Sequence, residues 1–120
     1  MKVQTFLHPG NWAQGSQAFD KGRHPVPPTY EGAVSFCLLG AISLIATKNA
    51  EACVELDEQQ KFKFRRELRR EMEQKLEKAI KELHGESQQH VTAFGRITHF
   101  NDTEGRTFAE VEKVLKLADI

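Results

Sequence analysis

The most apolar part of the chain has the sequence AVSFCLLGAISLIATK over residues 33–48. Its apolar side chains fall on every side of a helix, which is typical of a helix at the centre of a globular fold. Prolines at positions 25, 27 and 28 exclude a helix before it, and Thr29 has an N-cap side chain. We predict a buried core helix over residues 29–48. Gly40 lies inside it, which indicates a close approach by another backbone.

A second, highly charged helix is predicted over residues 58–84. Its apolar residues recur at helical spacing along one face, and Gly85 is a natural stop. The predicted buried face consists of Phe64, Leu68, Met72, Leu76, Ala79, Ile80 and Leu83. The predicted solvent face carries Arg66, Arg70, Glu73, Glu77 and Lys81.

The ends of the chain have weaker patterns. Residues 1–28 are rich in Gly, Pro and Gln, and the turn signal Asp20-Lys21-Gly22 predicts a hairpin-like segment. Residues 90–100 fit either a helix or a strand, and Asn101–Gly105 is predicted to be a turn. Thr107 and Glu110 have the spacing of a capping box, which predicts a final helix over residues 107–118. The expected fold is mainly α, as a single small domain over residues 1–120.

Composition excludes several classes of protein. The chain has 17 Lys and Arg and 17 Asp and Glu, so it is neither a global polycation for nucleic acid nor a charge mimic of DNA. Its longest apolar run is too short to span a bilayer, so we expect no membrane association. Two cysteines, Cys37 and Cys53, imply no disulfide framework, and no secretory signal precedes them. We expect a reducing, cytoplasmic setting and no cofactor.

Three clusters form a recognisable order along the chain. They are Trp12-Ala13-Gln14-Gly15, then Cys37-Leu38-Leu39-Gly40-Ala41, then Phe100-Asn101-Asp102-Thr103-Glu104-Gly105-Arg106-Thr107 with Glu110-Val111. This order resembles a family of small bacterial and bacteriophage proteins that is classed only as a domain of unknown function. That family carries Trp at the position of Phe100 and a helix before the Trp-x-Gln-Gly element, for which this chain has little room. The resemblance implies a shared fold and a bacterial or phage origin, and no activity.

The closing turn is the first candidate site. Asn101, Asp102 and Arg106 precede a helix N-terminus, where backbone N–H groups favour an anion, and Arg106 suits a phosphate or carboxylate. Trp12 or Phe100 offers a stacking face for a base. The alternative is structural, with Asn101 and Asp102 shaping the turn and Arg106 paired with Asp102 or Glu110. The candidate ligand-binding residues are Trp12, Gln14, Phe100, Asn101, Asp102, Arg106 and Thr107.

Catalytic and metal sites have less support. A hydrolase using Cys37 or the Asp102 carboxylate is an alternative, but Cys37 is predicted inside the core helix between Phe36 and Leu38, where burial would raise its pKa. We therefore assign no catalytic residue. The five histidines lack the spacing of metal ligands; they are His8, His24, His84, His90 and His99.

The long helix carries the second candidate surface. Lys61, Lys63, Arg65, Arg66, Arg69 and Arg70 form a basic run that could meet a phosphate backbone. Interleaved glutamates partly cancel its charge, so a solvated face is favoured over a nucleic-acid site. Phe62, Phe64, Arg65 and Arg69 are candidate interface residues, because aromatic and Arg side chains are enriched at interfaces. Such a helix also suits a homodimer.

The sequence thus favours a non-enzymatic binding protein. Its expected partner is a host protein or a small anionic ligand such as a nucleotide. Through the phage resemblance we expect a role in host–phage conflict, by blocking a defence protein or sequestering a nucleotide signal. A hydrolase and a nucleic-acid-binding protein are the alternatives.

Overall fold

A computed structural model describes residues 1–85 and 92–120. Within these residues the elements in chain order are α1 (Val3–Phe6), β1 (Ala18–Asp20), β2 (Ala33–Phe36), α2 (Leu38–Glu51), α3 (Glu58–His84), α4 (Ala93–Asp102) and α5 (Phe108–Ala118). The mainly helical fold class is confirmed. The predictions that concern His90 and Val91 fall on residues outside this described part.

The core helix α2 begins at Leu38, so the predicted start at residue 29 and the N-cap role of Thr29 are wrong. Residues 33–36 instead form strand β2, which pairs antiparallel with β1 and brings Ala18 opposite Phe36. A short apolar run with β-branched and aromatic residues fits a strand as well as a helix, and only its pairing partner decides between them. The helix itself is central as predicted, with Leu38, Ile42 and Ile45 fully buried.

Gly40 confirms the predicted close approach of two backbones. A Cβ atom at this position would overlap the carbonyl oxygen of Gln17. The same carbonyl accepts a hydrogen bond from the Cys37 N–H at 3.1 Å, so the segment before β1 packs directly on the first turn of α2.

Helix α3 has the predicted bounds and ends at His84, directly before the capping residue Gly85, whose φ is 80°. Asp57 and Gln60 form a capping box at its start, so its first turn is satisfied by local side chains. Leu76, Ala79 and Ile80 are buried as predicted, whereas Leu83 is exposed.

Two residues predicted on the solvent face of α3 lie closer to the protein interior. Glu77 is half-buried and pairs with Arg96 of α4. Glu73 is also half-buried, and this burial raises the pKa of its carboxyl group. Helix α4 packs against α3, so it covers a face that periodicity alone assigns to water.

The ambiguous segment is helical from Ala93 onward, because Thr92 caps the helix by accepting from the Gly95 N–H. Asn101 and Asp102 form the last turn of α4, so the predicted turn over residues 101–105 begins two residues too early. Helix α5 begins at the predicted capping box of Thr107 and Glu110.

The N-terminal segment packs its own short elements against the helices. Strand β1 ends at Asp20, as the turn signal predicts, but its main partner is β2 rather than the residues directly after the turn. The one-turn helix α1 fits into the space that the sequence left before Trp12, and its Gln4 N–H donates to the carbonyl of Ile120. In the described ranges, no helix combines the length and apolar character that crossing a bilayer requires.

Candidate functional site

The three motif clusters meet around one buried side chain, Asn101. It is 1% exposed and lies on the last turn of α4. Its Oδ1 accepts from the indole N–H of Trp12 at 2.9 Å and from the backbone N–H of Leu38 at 3.0 Å. Its Nδ2 donates to the carbonyl of Ala13 at 3.0 Å and to Asp102 Oδ1 at 2.9 Å.

These four hydrogen bonds use both lone pairs and both N–H groups of the Asn101 amide. They connect the N-terminal segment, the start of α2 and the end of α4. A buried polar group with all its partners in place fixes one arrangement of the elements around it. The amide of Asn101 therefore has no remaining hydrogen-bonding capacity for a ligand.

The neighbouring motif residues extend this connection. Gln14 Nε2 donates to the carbonyls of Asn101 and Thr103, at 2.8 and 3.1 Å. Asp102 Oδ1 also accepts from the backbone N–H of Gly15 at 3.1 Å. Gly15 has a φ of 102°, a conformation that favours glycine. The Trp-x-Gln-Gly element is thus bound to the C-terminal end of α4 by both backbone and side-chain contacts.

Arg106 is held by protein groups in the way that the structural alternative described. Its Nε donates to the carbonyl of Phe100 at 2.9 Å, and its Nη1 pairs with Glu110 Oε2 at 2.9 Å. Its guanidinium carbon lies 4.0 Å from the centroid of the Phe100 ring. Thr107 caps α5. Since Phe100 is only 2% exposed, its ring is covered and provides no stacking face.

Cys37 lies at a helix N-terminus rather than inside a helix. Its Sγ accepts from the Gly40 N–H at 3.4 Å, as an N-cap side chain does. Burial nevertheless raises the pKa of the thiol, and the negative charge of Asp102 raises it further. A thiol in this environment stays protonated and is a poor nucleophile.

The candidate interface residues divide between two environments. Phe64 is half-buried within the apolar face of α3, whereas Phe62 is 55% exposed. Arg65 lies against the Phe62 ring, 5.1 Å from its centroid. Arg69 pairs with Glu73 one turn later. Phe62 and Arg69 are exposed and Arg65, between them on the helix surface, is half-buried. We call these three residues with Lys61, Lys63 and Arg66 the α3 basic surface.

A groove beside this surface was missed by sequence reasoning. It has a volume of about 480 Å³ and lies between the last turns of α2 and the first turns of α3. Ala50 and Glu51 line one side, and Glu58, Phe62 and Arg65 line the other. The groove depends on how two helices pack, so spacing along the chain gives no direct signal for it.

Titratable side chains form no metal centre in the described ranges. There, no group of three or more His, Cys, Asp or Glu side chains is arranged to hold an ion.

A model for a family of unknown function, DUF6197, matches residues 2–119. The chain therefore belongs to that family. No curated protein and no solved structure matches it.

Proposed function

We propose that this protein is a non-enzymatic binding protein that recognises an acidic surface of a partner protein through the α3 basic surface and the adjoining groove. The observation that carries the proposal is a helix face that is buried at one end and uncovered at the other. Phe62, Arg69 and Leu76 recur every seven residues and so lie along one stripe of α3. Leu76 is fully buried, whereas Phe62 is 55% exposed.

The length of the helices explains why this stripe is uncovered. Helix α3 has 27 residues and is about 40 Å long at 1.5 Å per residue, whereas α4 and α5 have 10 and 11 residues, so neither can cover α3 from end to end. The contacts of α4 lie near the C-terminal end of α3, where Arg96 pairs with Glu77 and the rings of Phe100 and His84 lie 4.9 Å apart. Val54, in the connection between α2 and α3, adds an apolar side chain that is 84% exposed. An aromatic ring with Arg beside it is the composition of an interaction hot spot.

Charge identifies the kind of partner. Residues 61–70 contain six Lys and Arg and a single Glu. Among the described residues, Lys61, Lys63 and Arg66 form no salt bridge. A surface with this excess of positive charge is complementary to acidic side chains. A second copy of the chain is a poorer occupant, because this surface would then face like charges.

The other functions have less support from the geometry. The motif residues proposed to hold an anion are bonded to one another, and Cys37 is buried with a raised thiol pKa. Nucleic acid remains the competing occupant of the α3 basic surface. A cytoplasmic role in host–phage conflict is part of the proposal and is supported by the resemblance described above.

The test is quantitative capture from nuclease-treated bacterial lysate with immobilised wild-type protein and Arg65→Glu. The proposal predicts at least one protein that the wild type enriches and Arg65→Glu loses by about tenfold or more, as expected when a central charge is reversed. The captured protein, once purified, should bind the wild type directly and more weakly as salt increases.

Lys78→Glu provides the matched control, since it makes the same charge reversal on an exposed part of the same helix. It should capture the same protein as the wild type. The proposal is wrong if no protein distinguishes Arg65→Glu from Lys78→Glu. It is also wrong if Arg65→Glu abolishes self-association or DNA binding instead.

A further inference from the structure

A second cleft, which shares no residue with the α3 basic surface, lies beside the Trp-x-Gln-Gly element. It has a volume of about 460 Å³ and lies between the segment around Trp12 and the hairpin of β1 and β2. This volume falls within the range of small-molecule sites. Its walls include two aromatic rings, Trp12 and Phe19, two neutral polar side chains, Gln14 and Ser35, and the cation Arg23.

The Trp12 side of the cleft is held in place by contacts within the protein. The Trp12 indole N–H is bonded to Asn101, and its ring packs against Phe108 with centroids 6.2 Å apart. The next residue, Ala13, donates its N–H to the carbonyl of Phe36 at 2.9 Å. A wall held in this way loses little conformational freedom on binding, which favours affinity for small ligands.

The cation is placed by a turn that is itself constrained. Arg23 has a φ of 64°, which costs free energy for a residue with a Cβ atom. Asp20 holds the turn, accepting from the Arg23 N–H with its carbonyl and from the His24 N–H with its carboxylate. Within residues 1–85 and 92–120, no carboxylate forms a salt bridge with Arg23.

We infer that this cleft binds a small ligand that combines a flat aromatic ring with one anionic group, as a nucleoside monophosphate does. The ring would stack on Trp12 or Phe19, since aromatic side chains accept the face of any base. The guanidinium of Arg23 would pair with the phosphate or carboxylate in bidentate geometry. The amide oxygen of Gln14 and the hydroxyl of Ser35 would supply polar contacts at the edge of the ring. Among the lining residues that fall in the described part of the chain, Arg23 is the one with a charged side chain, so the ligand's charge is expected to be negative.

The single tryptophan makes the test direct, because Trp12 lines the cleft and reports binding through its fluorescence. AMP is titrated as a ligand with a phosphate group, and benzoate as a ligand with a carboxylate. Adenosine and inorganic phosphate are titrated as the two separate parts of AMP. Calorimetry gives the dissociation constants independently. AMP or benzoate is expected to bind with a Kd below about 1 mM. Adenosine and phosphate are each expected to bind at least about tenfold more weakly than AMP, since each offers half the contacts.

Two substitutions link the signal to this cleft. Arg23→Asn removes the charge and keeps a residue that tolerates positive φ, so the turn is retained and affinity should fall about tenfold or more. Phe19→Leu keeps an apolar side chain without the ring, and it should also weaken binding. Lys21→Gln removes a charge from the same turn outside the cleft, so its affinity should stay within about twofold of wild type. The inference is overturned if neither AMP nor benzoate binds with a Kd below about 1 mM, or if Arg23→Asn binds as tightly as Lys21→Gln.

Discussion

Replacing Asn101 with leucine tests the role assigned to the motif, because leucine is similar in size and makes no hydrogen bond. In the native protein the amide satisfies the Leu38 N–H, the Trp12 indole N–H and the Ala13 carbonyl. The substitution leaves all three without their partner. It also removes a side chain that bonds both the start of α2 and the Trp12 segment.

The magnitude follows from the burial of each group. The Leu38 N–H is buried, so losing its acceptor costs about 1–3 kcal/mol, and the two part-buried groups cost about 0.5–1.5 kcal/mol each. Burying the leucine side chain returns about 1–2 kcal/mol. At the middle of these ranges the net loss in the free energy of unfolding is about 2–3 kcal/mol.

Urea unfolding measured by circular dichroism and by Trp12 fluorescence gives this value. With a typical dependence on urea, the midpoint should fall by about 1–2 M. Asn49→Ala is the control, because the Asn49 side chain makes exposed hydrogen bonds to the N-terminal residue Met1. It should change stability by less than about 0.5–1 kcal/mol. A loss below about 1 kcal/mol for Asn101→Leu would contradict the account of the Asn101 amide.

Three more substitutions or modifications test separate parts of the structure. Gly40→Ala should lower the free energy of unfolding by more than about 3 kcal/mol in thermal or urea melts, because its Cβ meets a backbone carbonyl; a near-neutral effect contradicts the close approach. Iodoacetamide should modify Cys53 before Cys37 in the folded protein, since burial raises the pKa of the Cys37 thiol. Mass spectrometry of digests measures the labelling of each cysteine, and equal labelling would contradict the buried, unreactive state of Cys37. The hydrogen bond from the Thr107 N–H holds the pKa of the Glu110 carboxyl below its ordinary value of 4.5. The ionised carboxylate therefore stabilises the folded protein fully above pH 4.5, and this stabilisation is lost as the pH falls through the lower pKa of the folded state. Glu110→Gln should therefore show a smaller loss of Tm with acidification than wild type, and an unchanged acid limb would contradict that.

Local signals predicted the parts of the fold that local interactions determine. The bounds of α3 follow from its own periodicity and from Gly85, and the start of α5 follows from Thr107 and Glu110, which bond each other three residues apart. The predicted start of α2 was wrong because residues 33–36 are extended by pairing with β1, whose residues lie thirteen or more positions earlier in the chain. That pairing leaves no mark in the apolar pattern of the run itself.

The contacts of the candidate site could be predicted where they join residues close in the chain, and not where they join distant ones. Sequence reasoning offered the Arg106–Glu110 pair as one of two alternatives, since the residues lie one helical turn apart. The bond between Trp12 and Asn101 joins residues 89 positions apart, and no spacing rule reaches that far. Phe62 could have been separated from Phe64 by the seven-residue repeat through Arg69 to Leu76. What the repeat could not show is which end of the stripe the other helices bury.

Hydrogen–deuterium exchange of the protein, alone and with its captured partner, compares the two candidate surfaces most directly. Binding through the α3 basic surface predicts slower exchange in peptides covering residues 47–51 and 58–70, with residues 100–107 unchanged. Slower exchange at residues 100–107 with no change at the start of α3 would place the partner on the motif. It would contradict the conclusion that the motif residues serve the fold and that the uncovered end of α3 serves binding.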